Sequence, residues 1–587
     1  MNTNLRSSEA GFALVMTVLV VLIIGSLVAA AALIGSNHML VNRFYERESD
    51  LTMAADQGLE WARAKLNGDK SLYPDVGYNT LEYQGSVTDG SGAVLPGVKR
   101  TIYVGPSGVT SGQYGVFGTI LSVVEDAGGG QVIRRSQVYQ ESFSKYAYFT
   151  DVEPSNISFG GGDQIFGPVH SNSPIKIYSS GATFHGTVRT AQNVPTPQYG
   201  TFKQGYEEYV APIGMPETAE LSKLRTQAQQ GNTAVVGNSN GDYGKATTRI
   251  EFMAIDLNGD GDTSDSNEGF FRVYQSANAD YVTGDPGTAT TTCTGWGRSR
   301  TCTTTGGMAS TDLCGNWQAG VFRRTSTMTA TDANTALSSA TRRCYLGGAD
   351  SIWGGFTAND GTGQWIQYAG VKSPLLNGRL DKDYLFPITR EMNPNFKGVI
   401  FVDGKVVLSG KIRGRITVAA TDDIIFGDDL TYVTDPGAGT CVDIAGYFAG
   451  DEVIVADNAL NAPQDATGTF RTYDDTKDEF FHGTVLALDI FTVHNYSSGS
   501  TSAEDCGTTN NGRGCLFLTG GIIQQTRGAV GTTSGTGYIK RYSYDQCGAT
   551  NPPPYFPTTG YFAKGQYYNV DPVGFNVASF FDLITPS

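Results

Sequence analysis

From Phe12 to Ile34 the chain reads FALVMTVLVVLIIGSLVAAAALI, with no charged residue. A helix of that length, at about 1.5 Å per residue, crosses the hydrocarbon core of a bilayer. Ala29-Ala30-Ala31 would suit a signal peptidase, so a cleaved secretory signal is the rival reading. Two features oppose it. Glu9 stands just before the apolar run, where a signal peptide carries positive charge, and the helical pattern does not stop at Ile34. From Ser36 to Leu66 there is no Pro and one Gly, Gly58. Leu40, Val41, Phe44, Leu51, Ala55, Leu59, Ala62 and Leu66 recur near helical spacing, with Arg43, Glu46, Arg47, Glu48, Asp50 and Glu60 largely between them. Asn67-Gly68-Asp69 supplies the stop. The spacing predicts one helix from about Phe12 to Leu66, roughly 80 Å long. Its first half is lipid-soluble and its second half is amphipathic.

Gly11-Phe12 followed by such a helix resembles the start of a type IV prepilin, and Ala54-Ala55-Asp56-Gln57-Gly58-Leu59-Glu60-Trp61-Ala62 is similar to a segment of PilX-like minor pilins. The resemblance implies cleavage by a prepilin peptidase between Gly11 and Phe12, and methylation of the new N-terminus. One position departs from the major-pilin pattern. Met16 stands where those subunits carry a Glu that neutralises a neighbour's terminal ammonium inside the filament core. The departure points to a minor subunit at the filament tip. An uncleaved signal anchor is the plainer alternative.

The chain has 587 residues, of which 75 are Gly, while only 17% are charged. Abundant Gly and aromatics with low charge favour short strands joined by tight turns. The net charge of −16 argues against a surface that binds nucleic acid all over, though not against one basic patch. Five His, without HExxH or CxxC, disfavour a zinc enzyme. The eight cysteines, Cys293, Cys302, Cys314, Cys344, Cys441, Cys506, Cys515 and Cys547, sit mostly in polar loops. An even number in that setting reads as disulfides in an oxidising, extracytoplasmic compartment.

Residues 72–148 alternate in short runs broken by Gly, as a small antiparallel sheet does. From Ile157 the runs shorten: Gln164–Asn172, Ile175–Tyr178, Thr183–Val188. The same grammar returns at Gly398–Gly410, Gly414–Val418, Asp423–Asp428 and Leu430–Val433. Starts at 399, 405, 415, 423 and 430 are too close for a sandwich with proper loops. They suit a β-solenoid, with an antiparallel meander as the alternative. Later rungs are expected in Cys441–Asp457, Phe481–Asn495 and Cys515–Gln525.

GPVHSN (167–172), FHGTV (184–188), VDGKVVLSGKIRGRITVAATDDI (402–424) and GGIIQQTRGAVGT (520–532) resemble segments of large prepilin-like proteins with a solenoid of unknown function. That family includes a competence minor pilin proposed as a DNA receptor. The expected fold is therefore mainly β. A leader (1–11), a pilin-like helix (12–67) and a sheet (68–148) precede first rungs (149–190), an insertion (191–396), and a solenoid with its C-terminal segment (397–587).

The insertion holds two features. Asp256, Asn258, Asp260 and Asp262 occupy alternating positions, with Gly261 placed for a tight turn round a hard cation and Asp265 or Glu268 to complete the shell. This predicts Ca²⁺ in a β-hairpin loop, because the flanks Arg249–Ile255 and Gly269–Tyr274 read as strands; an unoccupied acidic turn is the alternative. The second feature, 287–348, sets Arg298, Arg300, Arg323, Arg324, Arg342 and Arg343 against Asp312 and Asp332, with Trp296 and Trp317 nearby. Four cysteines there suggest a disulfide-stapled loop. Its Arg groups either bind phosphate beside stacking aromatics or simply keep the loop soluble. Asp422, Asp423, Asp428 and Asp429 fall at strand corners, where Asp supports turns. His170, His185, His482 and His494 have no recognisable catalytic partner. Catalysis is not expected.

The expectation is a minor pilus subunit acting in pilus assembly and surface contact. It would meet other pilins, assembly proteins and the prepilin peptidase, first in the inner membrane and then in the periplasm or on the cell surface. A DNA receptor for natural transformation is the alternative. A membrane-anchored adhesin unrelated to pili is a further one.

Overall fold

The computed structural model describes residues 8–74, 77–89, 91–107, 117–237, 243–277, 363–379, 381–456, 479–497, 515–532 and 536–584, with short pieces between 279 and 322. The chain divides into two compact units. The first comprises residues 1–140 and 560–587, the second 141–559.

The first unit begins with helix α1, Ser8–Gly68, some four residues earlier than expected at its start. Residues 11–50 are exposed throughout. From Leu51 the helix packs on an antiparallel sheet made of β1 (Asn79–Thr88), β2 (Val94–Pro106), β3 (Phe117–Asp126) and β4 (Gln131–Ser142). Strand Thr558–Ala563 follows β4 in the sheet, and Tyr567–Val570 also pairs with β4. Successive side chains of a strand face opposite ways, and both faces here are used. Ile102, Val104, Ile120 and Val138 meet Leu59, Ala62 and Leu66 of α1. Leu121, Val123 and Ile133 are covered instead by Phe581 and the tail around it. Full burial of each such Leu stabilises the docking by about 1.5–3 kcal/mol.

The last twenty-eight residues were expected in the C-terminal solenoid segment. They belong to the first unit, where Phe581 and its neighbours cover the sheet's second apolar face.

The second unit is a parallel β-solenoid. Val399 pairs with Thr417, Arg415 with Ile444, Gly446 with Thr484 and Val485 with Ile522, all in parallel register. Two further ladders accompany this one. In the first, Val406 pairs with Ile424 and Ile424 with Val453; in the second, Leu430 pairs with Phe481. Parallel pairing rules out the meander. Inward residues such as Ile400, Val418, Ala449, Leu518 and Ile165 form one continuous core.

The order of rungs in space is not their order in sequence. From Tyr148 the chain climbs through 163–171 and 182–190 to 200–207, each rung stacking on the last. It then runs lengthwise along the stack. Val210 N–H donates to the Thr190 carbonyl, the Ile213 amide bonds the Asn172 side chain, and helix α2 (Ala219–Gln230) reaches Asp403 through Arg225 at 2.8 Å. Strands Ala234–Val236 and Thr248–Ala254 form the opposite end of the stack, against 399–403 and 406–412. The chain then returns rung by rung to Cys515–Arg527, which stacks directly on Tyr148–Val152. Part of the expected insertion, 191–396, therefore consists of solenoid rungs. Ala234 pairs with Phe401 and Arg249 with Val407, partners too distant in the chain for local pattern to encode.

Candidate functional site

Two regions of the first unit's helix differ in chemistry. Over residues 12–34 the exposed surface is aliphatic apart from Phe12, Met16, Thr17, Gly25 and Ser26. Thr17 and Ser26 turn their hydroxyls back onto helix carbonyls, so neither presents a free polar group sideways. α1 is long and apolar enough to cross a membrane. Below it, Leu40, Val41, Phe44 and Tyr45 are also exposed, among charged neighbours. The docked half is tied to the sheet by ion pairs, Arg134 with Asp56 at 2.7 Å and Arg47 with Asp126 at 2.5 Å. Tyr567 hydroxyl donates to Glu60.

The acidic loop lies in the second unit, between antiparallel strands Thr248–Ala254 and Gly269–Gln275, with Ala254 opposite Gly269. The hairpin setting expected from the sequence is present. Asp256 accepts the N–H groups of Gly259 and Gly261. The Asn258 amide donates to Asp260 at 2.9 Å and to Asp265 at 2.8 Å, so these three side chains converge. Asp262 accepts from Ser264, and hydrogen bonds from that residue hold its carboxyl below the usual range. Glu268 behaves differently. It is fully buried, and its two oxygens take the N–H groups of Leu257 and Asp265. Glu268 pins the base of the loop, whereas Asp265 stands beside the other oxygens.

A second acidic group was only half legible in the sequence. Asp422, Asp423 and Asp451 bring one oxygen each within 4.8 Å of one another. Ala420, Ala449 and Ala487 pair in register, so Asp422, Asp451 and Asp489, each two residues further on, occupy one corner of three successive rungs. Lys405 Nζ stands among them, 2.8 Å from Asp423. Burial works against the ammonium, but Asp423, Asp422 and Asp451 outweigh it and raise the Lys405 pKa. Burial raises Asp451, and the Asp423, Asp489 and Asp422 carboxylates push it the same way. Burial likewise raises Glu452, against the opposing hydrogen bond from Tyr243. The sequence signal was Asp-Asp, Asp-Glu and Asp recurring at rung corners, visible only once the rungs are aligned.

The four histidines of the second unit pack against neighbouring rings. His170 is buried against Phe149, and its Nε2 donates to Asn172 at 3.0 Å; burial lowers it to about 4. His482 Nδ1 accepts from Tyr432 N–H, and burial lowers it to about 4 as well. His185 stacks on Phe166, and His494 meets the ring of Tyr243. Asp429 accepts the N–H of Phe480, as a corner carboxylate does.

Cys293 and Cys302 face each other across a short hairpin and are bonded, and Cys441 is bonded to Cys547. Cys515 is also disulfide-bonded. Arg298, Arg300, Arg323, Arg324, Arg342, Arg343, Trp296, Cys314, Cys344 and Cys506 lie outside the described residues. Trp317 is described only as backbone, paired with Phe322.

A membrane-length helix whose last stretch docks on an antiparallel sheet is followed in the chain by a parallel solenoid. No protein-family model and no curated protein matches the chain. Among solved structures, the crystal structure of the competence-associated pilin ComZ from Thermus thermophilus aligns with 89% of this chain and 97% of its own. The identity is 12% and the TM-score 0.27, a likeness that carries no argument.

Proposed function

We propose that this chain is a minor subunit of a type IV pilus or related filament, placed at the tip, acting in assembly and surface contact without catalysis. The observation that carries the reading is α1. One unbroken helix offers an uncovered apolar stretch over 12–34 and a final stretch docked on the sheet through Leu51, Leu59 and Leu66. Water penalises the first stretch at about 25 cal/mol per Å² of apolar surface, so it needs lipid or other apolar helices around it. Met16 in place of an acidic residue suits a subunit with no neighbour above it. Immunogold labelling of sheared filaments tests the reading. Label on filament ends supports it, and label confined to the cell envelope contradicts it.

DNA capture is the second reading, carried by the contrast between the Arg-rich segment 287–348 and a chain of net charge −16. Each phosphate contact adds about one unit to the salt slope of duplex binding. DNA affinity of the full chain in detergent at several salt concentrations, with Arg323→Ala plus Arg324→Ala alongside, tests it. Equal binding by the double variant would remove it. Ca²⁺ at Asp256, Asn258, Asp260, Asp262 and Asp265, with Glu268 holding the loop's base, is part of the same proposal. Bound there, the cation would offset the repulsion of close carboxylates.

A further inference from the structure

The solenoid is assembled from two runs of chain that meet edge to edge. The earlier run, 148–207, has its inner edge at Tyr148–Val152 and Asp163–Phe166. The later run, 399–544, has its edge at Ile522–Arg527 and Ile539–Tyr544. Ile522 pairs with Tyr148, Thr526 with Val152 and Arg541 with Gln164. The approach is close: a Cβ on Gly521 would stand 2.0 Å from the Tyr146 carbonyl oxygen. Because α2 and the strands Ala234–Val236 and Thr248–Ala254 lie at the far end of the stack, the later run occupies the space between two edges laid down earlier in the chain. Each of its ends therefore has a wrong partner to avoid.

The charges at this seam are sorted by run. Arg527 pairs with Glu153 at 3.1 Å and Lys540 with Asp163 at 3.0 Å. Gln525 donates to Asp151 and Gln524 to the Tyr148 hydroxyl. In every one of these contacts the later run donates and the earlier run accepts. Arg527, Glu153 and Asp163 are buried, and the Arg527 guanidinium lies 3.8 Å from the centre of the Phe159 ring. Tyr148 and Thr150 donate their hydroxyls to Glu153, completing its shell. Such pairs add little net stability over apolar groups of the same size, but an edge that meets the wrong partner leaves buried charges uncompensated. Specificity by such penalties needs acids on one edge and cations on the other.

We propose that the Arg527–Glu153 and Lys540–Asp163 pairs are a charge key that selects which strand edges join, so that the solenoid closes within one chain rather than between copies. Without the key, the edge at 522–527 is free to add to the equivalent open edge of a second copy, as exposed strand edges do.

The test uses the full chain in detergent, read by light scattering for copy number and by hydrogen exchange for the seam. The variant Glu153→Leu with Arg527→Met keeps the volume and removes the charges. Because apolar groups of the same size hold the contact about as well, it is expected to keep rungs 415–449 and the seam at 148–152 and 522–526 protected, yet to yield dimers or larger species. A wild-type copy number in this variant would overturn the proposal. If the variant does not fold, the second pair decides. Lys540→Glu alone should open the seam, and Lys540→Glu with Asp163→Lys should close it again. A double variant no better than the single overturns the key.

Discussion

Arg100 of β2 reaches across to the docked stretch of α1, its Nη1 donating to the Ala54 carbonyl at 3.2 Å while its Nε pairs with Glu82 at 2.6 Å. One turn further along, Gly58 leaves the room this requires: a Cβ there would lie 2.7 Å from Arg100 Cδ and 2.5 Å from Ser122 Oγ. Gly58→Val is therefore expected to lower the stability of the first unit by about 1–3 kcal/mol through overpacking. Thermal unfolding of the full chain in detergent checks it, and an unchanged transition would mean the helix is not seated as described.

Phe581 is buried at 1% exposure over Leu121, Val123 and Ile133, and stacks on Tyr78. Phe581→Ala should cost about 3 kcal/mol. Hydrogen exchange is the sensitive readout, with protection falling in β2, β3 and β4 and not in the solenoid rungs. Loss of protection in rungs 415–449 instead would place the tail in the other unit.

The acid corner gives a pH dependence with a definite sign. Asp451 is raised above its unfolded value by burial and by neighbouring carboxylates. Its contribution is therefore intact below the unfolded pKa, 3.8, and is lost as pH rises through the folded one. Asp451→Asn removes that loss. The variant should melt slightly higher than wild type at pH 7, with the two converging below about pH 4. A lower Tm at pH 7 would show that Lys405 already compensates the whole corner.

How much was legible follows from what each element depends on. α1 was readable because an unbroken apolar run over 12–34 continues into apolar positions at helical spacing as far as Leu66, with no Pro between. The rungs at 399–432 were readable from Gly and Asp corners at short intervals. Which rung stacks on which was not, because Ile522 against Tyr148 is a pairing of apolar residues any parallel strand would offer. The sorting that distinguishes it, Arg527 with Glu153, becomes visible only in three dimensions. The tail from 560 was grouped with the solenoid and its C-terminal segment, since nothing local says which apolar face Phe575, Phe580 and Phe581 cover. For the acidic loop, the residue types, their spacing and the hairpin setting were legible. The separate role of Glu268 was not, because burial set it apart from Asp265.

Titrating Ca²⁺ into the full chain should release or absorb heat with one site per chain, and Asp256→Ala or Asp260→Ala should abolish it. Asp265→Asn should weaken binding, while Glu268→Gln should instead lower loop stability with or without the cation. Absence of heat in the wild type would leave the loop as an acidic turn held by its own backbone bonds.

If α1 enters a filament as a processed subunit, the mature N-terminus carries the mark of it, and its mass is the deciding measurement. Chain recovered from cell envelopes should begin at Phe12, with a methyl group on its amino nitrogen and α1 otherwise intact. A terminus near Ala31 or Ala32 would mean ordinary secretion with the apolar helix removed, and a chain still beginning at Met1 would mean a static anchor. Either result contradicts the account.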